Sequence, residues 1–387
     1  MKITGVICEY NPLHLGHKKQ LDIIRDKIGP ESGIVCIMSG NFVQRGAPAA
    51  IDKSLRAKAA VLCGADLVLE LPVTAALSSA ERFAAEGVRL LAPFCHQLCF
   101  GAETADGNAL MALAHTLLAA EFSPALRSQL EKGLSFPAAR QAALESMGID
   151  GSLLTQPNNI LAVEYCKAII AQGASMIPFP ILRQGRYHDT AADPENPSAT
   201  ALRQLMEQGE NWLGFVPEEA KSVFRNAVIH TKEAGERAML ARLRTMTEAD
   251  FETVPYGSEG LWRKLMHACR TEATVEDIAC AVKSKRYTRS RIDRMILCAF
   301  LGLTQQDLDT PAPYASVLAF NDRGREILKI ARNHGLYPNI GEKLEDPYQK
   351  ILCRCSDLYD LFTTGLIPPP GIEARHRVFY SSTLDLL

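Results

Sequence analysis

A chain of 387 residues with a formal net charge of −2 is longer than one hydrophobic core usually serves; ~150 residues per domain allows two to three domains, of which two are expected, and the chain does not hold nucleic acid by bulk positive charge. Hydrophobic residues at 47% and charged residues at 22% exclude a disordered chain and supply a core that needs no metal or cross-link. The 11 cysteines are odd in number, scattered and mostly set in apolar runs (Cys36, Cys63, Cys166, Cys298), so reduced thiols are expected; the close pairs Cys95/Cys99 and Cys353/Cys355 lack a second pair at finger spacing, and no structural metal is expected.

Residues 2–8 open the chain as a strand, without the long apolar stretch and small-residue cleavage site of a signal peptide. No apolar run nears the ~18 residues of a membrane span, so no membrane contact and a cytoplasmic location are expected. Leu21, Ile24 and Ile28 keep helical spacing after Gly16; 33–38 reads as a second strand, Asp52 as the cap of a helix reaching about 63, 66–71 as a third strand and 97–100 as a short fourth. Strands alternating with helices mark a parallel sheet with crossover helices, so the chain begins as a Rossmann-like α/β domain. From 106 to about 172 the pattern is helical, punctuated by Pro124 and Pro137; 176–182 returns as a late strand, 189–198 is turn-rich, and Ser198 or Thr200 opens a helix through Leu202 and Leu205 that closes the first domain, 1–215. After Pro217 the segments 218–230, 233–247, 259–270, 274–283 and 289–302 read as helices. They form a mostly α-helical second domain, 216–387, whose tail holds a candidate strand at 317–320 and the stiff linker Pro368-Pro369-Pro370-Gly371.

The strongest local signal is Cys8-Glu9-Tyr10-Asn11-Pro12-Leu13-His14-Leu15-Gly16-His17, where the first strand ends and the first helix begins. Open α/β sheets bind ligands at such strand ends; unpaired N–H groups at a helix start favour an anion, Gly16 admits a nucleotide close to the backbone, and histidines three apart can face one phosphate. The plain alternative is a turn with surface histidines, and the position after the first strand argues against it. A second element, Ser198-Ala199-Thr200-Ala201-Leu202-Arg203, sets hydroxyls and N–H groups at another helix start, with Arg203 a turn along to meet the leaving pyrophosphate. Alone it would be a helix cap; with the histidines it clamps both ends of a triphosphate. The loop 38–46 reads equally as a substrate loop or a solvated turn, and Phe100-Gly101-Ala102-Glu103 offers a small residue against which adenine or ribose can lie. In the chemistry these parts suggest, a carboxylate attacks the α-phosphorus of ATP and pyrophosphate leaves, with His14, His17, Ser198, Thr200 and Arg203 as the catalytic set and Mg2+ carried by the phosphates rather than by a protein cage.

Six basic residues against one acid stand in 283–294. A solvated helix face would explain them, but in a slightly acidic chain they suggest a polyanionic partner, met by Lys283, Lys285, Arg286, Arg289 and Arg291, with Tyr287 to stack on an unpaired base.

Together these segments resemble the bacterial tRNA(Met) cytidine acetate ligases. The matching stretches are Glu9 through His17, 39–46, 64–72, Pro157-Asn158-Asn159-Ile160-Leu161, Tyr187-His188-Asp189, Ser198 through Arg203, and Lys285-Arg286-Tyr287-Thr288, in order over most of the chain. The resemblance implies a Rossmann-like nucleotidyltransferase domain with a parallel sheet followed by a mostly helical tRNA-binding domain. It also implies an enzyme that activates acetate with ATP to acetyl-adenylate and transfers the acetyl group to N4 of the wobble cytidine of elongator tRNA(Met). ATP is then expected along Ile7, Cys8, Glu9, Tyr10, Asn11, Pro12, Leu13, His14, Leu15, Gly16, His17, Lys18, Lys19 and Gln20, with contacts from Gly101, from Asn158 or Asn159, and from Arg183. Leu13, Leu15, Ala47 and Ala102 depart from the family pattern, where phenylalanine, asparagine, glutamate and serine are common. A small-molecule adenylyltransferase would use the same two elements but end soon after Arg203. A tRNA-binding module with a decayed nucleotide site would not retain His14, His17, Ser198, Thr200 and Arg203.

Overall fold

The computed structural model describes residues 1–183, 197–334 and 346–382, so Tyr187, His188 and Asp189 and the rest of the turn-rich stretch up to 196 lie outside the described residues. Strand β1 (Ile3–Cys8) is followed by α1 (Leu15–Ile28), β2 (Gly33–Ser39), a hairpin of β3 (Phe42–Val43) and β4 (Ala47–Pro48), α2 (Lys53–Leu62) and β5 (Leu67–Leu71). Helices α3 (Val73–Ala76) and α4 (Ala80–Leu91) lead to β6 (Gln97–Ala102), and α5 (Gly107–Leu118), α6 (Phe122–Glu131), α7 (Phe136–Ser146) and α8 (Pro157–Ala171) precede β7 (Ile177–Leu182). After α9 (Ala199–Glu207) come α10 (Glu218–Phe224), α11 (Lys232–Thr245), α12 (Glu248–Glu252), α13 (Leu261–Thr271), α14 (Val275–Val282), α15 (Arg289–Leu301) and α16 (Gln305–Asp309). The chain then returns as β8 (Val317–Asn321), α17 (Asp322–Arg332), α18 (Pro347–Tyr359), α19 (Ile372–Arg375) and β9 (Phe379–Ser381). Pro124 and Pro137 fall in the first turns of α6 and α7, where no intrahelical N–H is lost.

Seven strands lie in the order β7-β6-β1-β2-β5-β8-β9. β1 pairs in parallel with β2 and β6, β2 with β5, and β6 with β7. The chain thus runs outward on one side of β1 through β2 and β5, then returns to the other side for β6 and β7. That reversal places a crevice at the carboxyl ends of β1 and β6, the switch point at which open α/β sheets take ligands. Successive strand residues face opposite layers. Ile3, Ile7, Val35, Ile37, Leu67 and Leu69 share a core with Val88, Leu110 and Val163 of α4, α5 and α8, whereas Val6, Ile34, Cys36, Met38 and Val68 share another with Leu21, Ala60 and Leu202 of α1, α2 and α9.

The sheet does not end where the first 215 residues end. β8 joins β5 antiparallel and β9 joins β8 in parallel, so the later part of the chain supplies two edge strands to the sheet of the earlier part. Helices α11, α13, α14, α15 and α18 surround a further core containing Leu243, Leu265, Ile278, Ile296 and Leu352, which also takes in Phe42, Val73 and Leu77 from the first half. All 11 cysteines are free thiols. No single helix among the described residues is long and apolar enough to cross a membrane.

Candidate active site

Between β1 and α1 the chain turns on residues held out of ordinary conformation. Tyr10 is buried with φ 46, a left-handed setting costing a non-glycine residue about 1–3 kcal/mol and concentrated at functional sites. Its ring lies edge-on to His17 at 4.9 Å. His14 is the N-cap of α1: its Nδ1 accepts from the Gly16 N–H (3.1 Å), and the His17 Nδ1 accepts from the His14 N–H (3.3 Å). Two imidazoles thus build a reciprocal cap in which a hydroxyl and a carboxylate are more usual. They stack with centroids 3.7 Å apart. With both Nδ1 atoms accepting, the neutral rings carry their protons on Nε2, the atom left to donate outward.

Electrostatics keep them neutral. Burial, with the nearby Arg183 and Arg203 charges, lowers the pKa of His14 from 6.5 to about 3. Burial, His14 and Arg183 push His17 well below its ordinary value. Gly16 also leaves room for the cap: a Cβ there would stand 3.0 Å from the His14 ring carbon Cε1 and 3.2 Å from Nδ1, so the imidazole would have to shift by a few tenths of an ångström.

The second element meets the first across the crevice. Ser198, rather than Thr200, is the N-cap of α9, its Oγ accepting from the Ala201 N–H at 3.1 Å. Arg203 donates through Nη1 to the Asn11 carbonyl (2.7 Å) and through Nη2 to Thr200 Oγ1 (3.2 Å), so the guanidinium ties α9 to the histidine loop. At the end of β6, Glu103 accepts from the Asn158 and Asn159 N–H groups (3.2 and 2.7 Å) and from Asn158 Nδ2 (2.6 Å), while Asn159 Oδ1 accepts from the N–H groups of Glu103 and Thr104. The two asparagines therefore part company. Asn159 is buried in that bridge, whereas Asn158 lines the cavity and accepts from Arg183 Nη1 at 3.0 Å.

One cavity of about 1080 Å³ gathers these residues. It is lined by Ile7 to Asn11, His14, Gly16, His17, Lys19 and Gln20, by Gly101, Asn158 and Arg183, and by Ser198, Thr200 and Arg203. Gly101 is exposed, and a Cβ there would meet nothing within 4 Å, leaving room for a flat group over the backbone. Pro12, Leu13, Leu15 and Lys18 do not line the cavity; Leu13 is fully buried and Lys18 pairs with Asp22 at 2.5 Å. Ala102 is also fully buried. No group of three or more His, Cys, Asp or Glu among the described residues is placed to hold a metal.

The loop 38–46 lies in the same cavity wall. Gln44 donates its N–H to Glu9 Oε1 (2.7 Å), and Arg294 Nη1 donates to the Gln44 carbonyl (3.0 Å), so the β3–β4 hairpin bridges the loop after β1 and α15. Sequence reading assigns no site role to the rest of this wall, Ile229 to Glu233 with Asp293; it carries the helix of 218–230 over Ile229 and His230, which lie in the loop between α10 and α11. The basic segment divides. Lys283, Lys285 and Arg286 are exposed around a turn closed by a Ser284–Tyr287 bridge. Arg286 pairs with Glu259 (2.9 Å), to which the Tyr287 hydroxyl also donates (2.8 Å). Arg289 pairs with Glu276 and Asp293, and Arg291 donates to the Tyr256 carbonyl (3.1 Å) with its guanidinium 4.7 Å from the Tyr287 ring.

A mostly parallel open sheet whose switch point gathers histidines and arginines fits a nucleotidyl transferase, and the family model described as HIGH Nucleotidyl Transferase matches residues 1–367. Among curated proteins, the chain is 35% identical over 357 residues to the tRNA(Met) cytidine acetate ligase of Clostridium novyi, covering 87% of this chain and 89% of that protein. It is 36% identical over 365 residues to that of Clostridium tetani, covering 88% and 90%. The crystal structure of apo Thermotoga maritima TmcAL superposes with a TM-score of 0.90 at 29% identity, covering 99% of this chain and all of that one. The form of the same protein bound with alpha-thio ATP gives 0.88. The chain belongs to the tRNA(Met) cytidine acetate ligases within the HIGH nucleotidyl transferases.

Proposed function

We propose that the protein is an ATP-dependent acetate ligase that forms acetyl-adenylate and passes the acetyl group to N4 of the wobble cytidine of elongator tRNA(Met), giving N4-acetylcytidine. The observation that carries the first step is the convergence of His14, His17, Ser198, Thr200 and Arg203 on one cavity at the β1/β6 switch point. An acetate oxygen attacks the α-phosphorus, the new P–O bond forms, and pyrophosphate leaves with its bonding electrons. No protein nucleophile is needed. The Cys8 thiol on the cavity wall is held protonated, its pKa raised by burial and by Cys36. The Nε2–H groups of His14 and His17 and the Arg203 fork supply fixed donors for the charge that moves to the phosphates; one such donor contributes about 3 kcal/mol, roughly a hundredfold in rate. Adenine and ribose are assigned to the Gly101, Asn158 and Arg183 side, with Asn159 as the brace behind them. Mg2+ enters as the counter-ion of ATP, coordinated by phosphate oxygens and water.

In this reading residues 1–215 make the catalytic unit and 216–387 the tRNA-binding unit, with Lys283, Lys285 and Arg286 as the exposed phosphate contacts and Arg289, Tyr287 and Arg291 as the base that holds them. Free thiols throughout suit the reducing cytoplasm, where tRNA is processed. Purified protein with ATP, Mg2+ and acetate is expected to exchange pyrophosphate into ATP, and addition of elongator tRNA(Met) to yield N4-acetylcytidine by mass spectrometry. Exchange that requires a phosphorylated metabolite in place of acetate would refute the reading.

A further inference from the structure

The cavity has a second wall that adenylation does not use. Its volume of about 1080 Å³ lies above the span of about 300–1,000 Å³ usual for small-molecule sites. A further part of its lining comes from Ile229, His230 and Thr231 ahead of α11, from Lys232 as its first residue, and from Ser290 and Asp293 at the start of α15. His230 is the residue of this wall with unused chemistry. It is 8% exposed, and its buried Nδ1 has no hydrogen bond of good geometry, the Val228 backbone being the polar group nearest in effect on the ring. Burial keeps the ring neutral, lowering its pKa from 6.5 to about 4 against the opposing pull of Asp52 and of a backbone hydrogen bond with Val228.

The placement of His230 is over-determined. The ring stacks on Tyr359 with centroids 4.1 Å apart and planes at 14°, and the Tyr359 hydroxyl donates to the Ala49 carbonyl at 2.8 Å. The His230 N–H donates to the Ala50 carbonyl (2.9 Å), the Ala50 N–H to Asn11 Oδ1 (2.7 Å), and Arg203 Nη1 to the Asn11 carbonyl (2.7 Å). One line of hydrogen bonds thus runs from the phosphate clamp to His230. A histidine fixed relative to the reacting phosphates, neutral, and facing the same cavity is arranged for a second step of the reaction.

We propose that this wall is the acceptor-base site and that His230 is the group there that meets the attacking amine and takes its proton. The inference rests on the acetyl-transfer reading above. The cytosine amine bonds to the acetyl carbonyl carbon, the bond from that carbon to the adenylate oxygen breaks, AMP leaves with the electron pair, and the surplus amine proton passes to His230 and on to solvent. An exocyclic amine whose lone pair is shared with the ring becomes a strong acid once acylated, so a weakly basic imidazole suffices.

The test uses full-length His230→Ala and His230→Gln enzymes with ATP, Mg2+, acetate and elongator tRNA(Met). Acetate-dependent pyrophosphate exchange and tRNA affinity are expected to stay within about twofold of the parent, while single-turnover acetyl transfer at saturating tRNA falls about a hundredfold or more in both, since glutamine keeps polarity but takes up no proton. Transfer at the parent rate in either variant overturns the assignment. So does a parallel fall of exchange and transfer, which would make His230 part of the phosphate clamp's scaffold. The parent enzyme separates this from the reaction itself: absence of acetate-dependent exchange or of acetylated cytidine in the parent sinks the transfer reading, and the acceptor role with it.

Discussion

A neutral imidazole whose Nδ1 is tied to a backbone N–H has one proton to give, and at His14 and His17 it sits on Nε2. The amide nitrogen of glutamine can stand near Nε2, whereas that of asparagine stands near Nδ1. His17→Gln is therefore expected to retain about tenfold more acetate-dependent exchange than His17→Asn, with His17→Ala lowest, about a hundredfold below the parent. Equal loss in all three would show that the ring is needed for packing rather than donation. The same burial has an acid consequence. His14 has a folded pKa of about 3 against 6.5 unfolded, so between these values the unfolded chain binds the extra proton and stability falls as pH drops. At pH 5 this amounts to about 2 kcal/mol for one such histidine. Glu70 acts in the opposite sense, since burial raises its pKa from 4.5 to about 7 and the folded state holds the extra proton between those values. The comparison that isolates His14 is thus a difference: the melting temperature of His14→Gln should decline less than that of the parent between pH 7 and 5. The histidine, serine and arginine positions were legible because their spacing is local. The imidazole cap was not, since which ring nitrogen accepts depends on the fold of Tyr10 to His14.

At the scale of elements, caps and periodicity carried far. Asp52 and Ser198 cap α2 and α9 by accepting from Ser54 and Ala201 N–H groups, and the helices after 217 fall within a few residues of the sequence pattern, except that 218–230 holds only the short α10. The two-residue strands β3 and β4 could not be read, because two residues show no alternation; what makes them is Gly46. Its φ is 78, and a Cβ there would run into the backbone of Asp293 and Arg294, so the hairpin reaches α15 only as glycine. Gly46→Ala combines an unfavourable backbone setting with a clash against a rigid helix, and is expected to lower stability by about 2 kcal/mol or more in urea unfolding. If the hairpin also shapes the acceptor side, the same variant loses acetyl transfer more than pyrophosphate exchange. Equal retention of both would confine Gly46 to folding.

Across the whole molecule, the tail is what sequence order obscured. Residues 317–320 read as a strand, but nothing local says that β8 and β9 extend the first sheet past β5 or that Glu373 lands beside Lys53, 320 positions away in sequence. Lys53 Nζ lies 2.7 Å from an oxygen of Glu70 and 2.7 Å from one of Glu373, with all three side chains nearly out of solvent. The ammonium holds Glu373 below the ordinary carboxylate range, and Ser356 Oγ donates to it at 2.5 Å. A buried cation between two carboxylates joins α2, β5 and α19, so its removal differs from removal of either partner. Lys53→Met leaves two buried carboxyl groups facing each other without a counter-charge, so that one takes up a proton and the other stays a buried ion stripped of its partner, at about 3–5 kcal/mol. Glu373→Gln leaves Lys53 with Glu70 and a polar neighbour, and should lose clearly less. Urea unfolding at pH 7.5 would rank the two, and a larger loss in Glu373→Gln would mean that the tail's carboxylate, rather than the lysine, is the group around which this junction is built.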